Sequence, residues 1–287
     1  MKRHIAGLAC AAAAVLSVST FASTAHAQAA DPVTALKGEF TSGRGVSFVD
    51  TTKINTPAGN FVFSQRKGAF QFGASGISAS DQTTKLRIKE SDLEALSGEE
   101  ASGGLAGLAK PERTIRVKNV SYISGGLFGE FLPAEKTWLR VPGGPIGLTG
   151  RLSQLVNVAE PATLKSLLAH ATTKRSGLYG GKITFGELYK VSPWFRTSVL
   201  VKPSSSEAKT VVSWKLFVGS DRLATRLTTT YSAAGLGAKG TTMTVDSRYT
   251  GWGSKVTVKA PPAEEIAELK DLEEGADAAT SIPLLGN

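Results

Sequence analysis

The C-terminal third of the chain alternates apolar and polar side chains with period two, the signature of half-buried strands. Over residues 211–259, Trp214, Leu216, Leu223, Leu227, Met243, Val245, Val256 and Val258 fall on one set of faces. Lys215, Arg222, Arg226, Thr228, Thr244, Asp246, Arg248, Lys255 and Lys259 fall mostly on the other. Gly219-Ser220-Asp221 predicts a tight hairpin turn, and Gly235 to Gly240 a looser one. These strands should pair into an antiparallel sheet with one wet face and one apolar face.

Upstream, residues 46–49, 61–66, 69–73 and 84–89 predict strands, with a break at Pro57-Ala58-Gly59-Asn60. Phe61 with Phe63, and Phe70 with Phe72, are each expected to share a face. Residues 90–111 are rich in Gly, Ser and Glu and predict a loop. Strand character returns at 113–123, 127–131 and 137–141, before Pro142-Gly143-Gly144-Pro145 ends the first half.

Helical signals are few. Asp31 caps a first helix that has Pro32 in its opening turn and runs through Leu36 and Phe40. Glu160-Pro161 opens a second, with Leu164, Leu167, Leu168 and Ala171 at helical spacing and Ser176-Gly177 closing it. A third spans 185–191, stopped by Pro193 and followed by Trp194 and Phe195. Pro261-Pro262 begins an acidic helix carrying Ile266, Leu269 and Leu272 on one stripe. About a dozen strands and so few helices predict an α+β fold built on a large antiparallel sheet, not βαβ units. Leu164, Leu167, Leu168, Trp194 and Phe195 are expected to cover its hollow face and gate it.

The ends change the picture. Lys2 and Arg3, the apolar run from Ile5 to Ala22, and Ala25-His26-Ala27 read as an export signal over residues 1–27. Cys10 sits where a lipidation site would need Leu three residues earlier, but Leu8 is two before it. The expectation is a secreted or extracytoplasmic protein that is not lipid-anchored. Cleavage after Ala27 removes the chain's one cysteine, so disulfides cannot help and a buried core must stabilise the fold. Residues 28–274 are expected to form one domain, with 275–287 a frayed tail.

The whole chain has a formal charge of +9, which falls to +7 without Lys2 and Arg3. A basic exported protein is drawn to anionic membrane surfaces or wall polymers. The cations are dispersed along polar strand faces (Lys85, Arg87, Lys89; Arg116, Lys118; Arg222, Arg226), which argues against nucleic acid as a partner.

The stretch Arg248-Tyr-Thr-Gly-Trp-Gly-Ser-Lys-Val-Thr-Val-Lys-Ala-Pro-Pro262 resembles the end of the LppX/LprG-type exported lipoproteins. Tyr179-Gly-Gly-Lys-Ile-Thr-Phe-Gly-Glu-Leu188 resembles their mid-chain strand and helix, and more remotely the element order is similar to the LolA lipoprotein carrier. The resemblance implies an antiparallel β half-barrel whose concave apolar face is closed by helices around a cavity for acylated lipid. Its departure is the broken lipidation motif.

Enzymatic readings fare poorly. His170 is the one histidine outside the export signal, and no His/Cys cluster offers a metal site. Gly235-Leu-Gly-Ala-Lys-Gly240 lacks phosphate-loop spacing. Ser64-Gln-Arg-Lys67, Ser80-Asp81-Gln82 and Lys239-Gly240-Thr241 occur in the order of penicillin-binding motifs, but Ser64 and Lys67 lie on a strand, where that spacing separates their faces. Neither catalysis nor a cofactor is expected.

The expected ligand is an acylated lipid or the acyl chains of a lipoprotein, held by Phe61, Phe63, Phe70, Phe72, Leu164, Leu168, Trp194, Trp214, Leu216, Leu227 and Met243. A regulatory or protein-binding module of the same fold is the alternative. A third reading is that these side chains simply pack a dry core.

Overall fold

The computed structural model describes residues 31–88, 106–144, 147–199, 201–234 and 240–272. The expected export signal, Cys10, most of the loop at 90–111, the turn at 235–239 and the tail at 275–287 lie outside them. The strands are β1 (Arg44–Thr56), β2 (Gly59–Gly73), β3 (Gly76–Leu86), β4 (Glu112–Val117), β5 (Val120–Gly125) and β6 (Trp138–Pro142). They continue with β7 (Ala171–Arg175), β8 (Leu178–Thr184), β9 (Val211–Val218), β10 (Ala224–Ser232), β11 (Thr242–Lys255) and β12 (Ile266–Glu268). The helices are α1 (Pro32–Gly38), α2 (Pro161–Ala169), α3 (Phe185–Val191) and α4 (Pro193–Ser198).

All twelve strands join one open sheet in the order β12-β6-β5-β4-β3-β2-β1-β11-β10-β9-β8-β7. Neighbours are antiparallel except β12, which runs parallel to β6. This is an α+β half-barrel: the sheet does not close, and helices lie over its inner face. The pairing of β1 with β11, from Arg44↔Lys255 to Asn55↔Thr242, joins the two halves of the chain at mid-sheet.

Period-two alternation decides which face is buried. On β9, Val212, Trp214, Leu216 and Val218 are buried while Val211, Ser213 and Lys215 are exposed. Across the next pairs Leu216 meets Leu227, and Tyr231 meets Met243. Gly181 opposes Trp214, and a Cβ there would lie 2.9 Å from the indole ring and 2.3 Å from the His170 carbonyl, so only glycine admits the tryptophan. Aromatic rings continue the core across the sheet: Phe48 stacks on Phe70 at 4.6 Å, and Phe70 meets Trp194 edge-on at 5.1 Å.

Local chemistry fixes the helices. Asp31 Oδ1 accepts the Val33 and Thr34 amides and starts α1. Thr184 and Glu187 cap α3 reciprocally. Among the described residues no helix is long and apolar enough to cross a membrane.

Several expectations change. The strands expected at 61–66 and 69–73 are one continuous strand, β2, and β3 begins at Gly76, well before residue 84. The run 113–123 is two strands, turned at Lys118-Asn119 with Lys118 at φ 55. Residues 128–130 form a 3₁₀ turn, not a strand, because Leu127 and Phe128 point into a small second core with Ile123 and Leu139. The second helix ends at Ala169, and Ser176-Gly177 is the β7–β8 hairpin turn, with Gly177 at φ 72. Pro193 does not only stop α3; it starts α4. The acidic C-terminal helix is absent: residues 266–268 pair with β6, which satisfies their backbone better than a short isolated helix would.

Trp214→Ala should cost about 3–5 kcal/mol of unfolding free energy, and Lys215→Ala less than about 0.5 kcal/mol. Urea unfolding of both variants checks this. Equal losses would overturn the assignment of faces.

Candidate functional site

The inner face is not uniformly apolar. Val212, Trp214, Leu216, Leu227, Met243 and Val245 make its β9–β11 side apolar. On β3–β5 the buried positions include Ser80, Gln82, Thr84, Glu112, Thr114 and Ser121 beside Leu86 and Ile123. Polar side chains on a strand read as solvent-facing, so sequence reasoning missed this strip. Buried polar groups need partners, and a segment whose regular structure is one 3₁₀ turn, Leu148–Leu152, supplies them to Glu112 and to polar side chains of β1, β2, β10 and β11.

That segment, residues 147–160, lies across the strands like a strap. It starts beside β4, where Gly147 (φ 78) passes so close that a Cβ would lie 2.2 Å from Glu112 Oε1. The Thr149 amide and hydroxyl donate to the same oxygen at 3.2 and 2.7 Å. The Leu152 carbonyl then accepts from Thr52 Oγ1 on β1 and Ser64 Oγ on β2, both at 2.9 Å. The Gln154 carbonyl accepts from Arg66 Nη2 at 3.2 Å and from Trp194 Nε1 at 3.0 Å. The Gln154 side chain donates to Ser247 Oγ on β11 and accepts from Thr229 Oγ1 on β10, both at 3.0 Å. Leu155, Val156, Val158 and Ala159 join the apolar core. The strap thus spans β4 to β10, and every residue from Leu152 to Ala159 is buried. None of those eight residues is charged, the one signal in the sequence that could have revealed it.

Under the strap lies a buried ion pair, Arg66 Nε to Asp50 Oδ2 at 2.7 Å. The guanidinium stands 5.4 Å from the ring centroids of both Phe48 and Trp194. Tyr249 shares the site, and burial, reinforced by the Asp50 carboxylate, pushes its hydroxyl pKa well up. Asp50 Oδ1, Arg66 Nη1 and Asn157 Nδ2 have no protein partner, and these residues border a void of about 10 Å³, the size of one water.

Glu160 ends the strap and ties it to the helices. Its carboxylate accepts from Thr163 Oγ1 at 2.8 Å, the Trp194 amide at 2.7 Å and the Ser192 hydroxyl. Burial raises its pKa above the usual carboxylate value, while those three donors pull the other way. His170, at the end of α2, places Nε2 3.0 Å from Glu187 Oε1 on α3 and is a half-exposed surface group.

The expected ligand-binding residues fall into three groups. Phe70, Phe72, Leu164, Trp194, Trp214, Leu216, Leu227 and Met243 are buried in one continuous cluster. Phe63 and Leu168 are half-buried against it. Phe61 is 50% exposed, because the register shifts between Thr52 and Lys53 and Phe61 pairs with Ile54 near the β1–β2 turn. The buried cluster is packed by strap and helices, which is the dry-core arrangement among the readings the sequence left open.

Asp50→Ala should destabilise the fold by about 3–5 kcal/mol, because it strands the Arg66 charge. Replacing both partners, Asp50→Leu with Arg66→Met, should cost less than the single change. Denaturant titration of both variants is the check, and a single-variant loss within about 0.5 kcal/mol would contradict the pairing.

No family model and no curated protein matches the chain. Solved structures do. A LolA superfamily protein from Nitrosomonas europaea is 8% identical with a TM-score of 0.31, covering 80% of this chain and 93% of that one. A hypothetical protein from Chlamydia trachomatis is 10% identical with a TM-score of 0.30, covering 82% and 98%. A putative outer membrane lipoprotein-sorting protein domain from Vibrio parahaemolyticus is 8% identical with a TM-score of 0.26, covering 76% and 91%. Likeness at this level carries no inference about what this chain binds.

Proposed function

We propose that the chain is a non-enzymatic, exported carrier that binds the acyl chains of a lipid or lipoprotein on the inner face of the sheet and moves them through the cell envelope. One observation carries the reading: the inner face is covered by a strap whose residues 152–159 are uncharged and are held largely through their own backbone carbonyls. An acyl chain can take the place of the apolar side chains of residues 152–159 while Thr149 stays on the Glu112 carboxylate and Arg66 keeps Asp50.

Magnitudes make the exchange feasible. Burying a sixteen-carbon chain is worth roughly 12 kcal/mol, at about 0.8 kcal/mol per methylene. The strap makes six hydrogen bonds through Leu152 and Gln154 to the sheet and Trp194, each worth about 0.5–1.5 kcal/mol. It also buries Leu155, Val156 and Val158, at about 1.5–3 kcal/mol each. The two sides are of the same order, so exchange of strap for acyl chain lies near balance and can run both ways. A carrier must also release its cargo.

The packed interior favours a second reading, an envelope module that binds a polypeptide on its surface. Purification from the native host, followed by organic extraction and mass spectrometry, separates the two. The carrier reading expects acyl lipid in near-stoichiometric amount. A lipid-free extract with a co-eluting polypeptide would overturn it in favour of the module.

A further inference from the structure

Between the β2–β3 turn, the β4–β5 hairpin and the starts of α2 and α4 lies a cleft of about 330 Å³. That is within the range of small-ligand sites. One wall is apolar, built from Ile77, Ala79, Pro161, Pro193 and Trp194. The opposite side carries two cations, Arg116 and Lys118.

Arg116 projects from the inner face of β4, between Ser80 on β3 and Ser121 on β5. Its guanidinium donates to Ser121 Oγ at 3.1 Å, to Asn119 Oδ1 at 3.0 Å and to the Gly144 carbonyl. All three acceptors are neutral. Among the described residues no carboxylate pairs with Arg116 or Lys118. Burial lowers the Arg116 pKa with no opposing charge to offset it, yet arginine stays protonated. Among the described residues Glu160 is the only carboxylate bordering the cleft, and its oxygens are taken up by Thr163, Ser192 and the Trp194 amide. A half-buried cation without a counter-charge, set beside an exposed lysine and an apolar wall, suits a ligand that is anionic at one end and apolar at the other.

We propose that this cleft binds the anionic head of an amphipathic ligand, with Arg116 and Lys118 contacting a phosphate or carboxylate and Trp194 contacting the adjoining apolar part. The inference rests on the carrier reading and adds the charge of the cargo and the place where its head sits. Trp194 connects the two regions. It lines the cleft on one side and the void over Arg66 on the other, and its indole nitrogen holds the strap at the Gln154 carbonyl. A head group in the cleft therefore presents its chain at the residue that pins the strap.

The test titrates three probes into the full exported chain by calorimetry: a monoacyl phosphatidylglycerol, the matching monoacyl phosphatidylcholine, both below their micelle-forming concentrations, and inorganic phosphate. The principal variant is Lys118→Asn, because Lys118 is exposed and its φ of 55 suits asparagine, so the fold should be unaffected. Arg116→Gln is the second, checked by thermal unfolding because it alters hydrogen bonds to Ser121, Asn119 and Gly144. The anionic lipid should bind at least tenfold more tightly than the zwitterionic one. Lys118→Asn should weaken the anionic lipid three- to tenfold and leave the zwitterionic lipid unchanged, with a larger loss for Arg116→Gln. Equal affinities for the two lipids, or equal losses in Lys118→Asn, would overturn the head-group site and leave the carrier reading standing. Phosphate binding as tightly as the anionic lipid would overturn the amphipathic ligand in favour of a free anion. If neither lipid binds, both readings fall.

Discussion

A sheet of twelve strands presents more inner face than four short helices can cover, and every other feature of the molecule answers that constraint. A helix hides its own backbone hydrogen bonds and offers only an apolar stripe. A strap offers carbonyls and amides as well. Thr52, Ser64 and Arg66 on β1 and β2, and Thr229 and Ser247 on β10 and β11, turn polar groups inward, and the strap's carbonyls and the Gln154 side chain meet them. The rest of the β9–β11 side is apolar, and there Leu164 and Leu167 of α2 join the core directly.

The cover is therefore of two kinds, and they differ in how readily they lift. Apolar packing of α2, α3 and α4 is contiguous and interlocks with Phe70, Trp214 and Leu227. The strap instead holds at discrete points: the Glu112 carboxylate, the Leu152 and Gln154 carbonyls, and the Gln154 side chain. Beneath it Arg66 has Asp50 as its charge partner in addition to the strap's Gln154 carbonyl.

How much of this the sequence discloses follows from the physics of each element. Alternation in Val211–Val218 marks both strand and face, because one side of that strand meets core and the other water. The capping residues Asp31 and Thr184 act within a few residues of themselves, so their helices were legible. Lys118 at positive φ splits the run of strand character at 113–123 into a hairpin, a conformation that lysine does not announce. Residues 266–268 become a strand only because β6 offers an open edge. The strap leaves no periodic trace, since its conformation is set by partners 37 to 100 residues away in the chain. Arg116 was legible as a cation but not as one lacking a counter-charge, which depends on the fold around it.

Hydrogen–deuterium exchange on the chain from residue 28 onward, with and without a saturating monoacyl phosphatidylglycerol, tests the displacement of the strap most directly. The account predicts faster exchange across residues 152–159 when lipid is bound, with β1, β2 and β11 unchanged. Slower or unaltered exchange in that segment, in a sample shown to hold lipid, would contradict it.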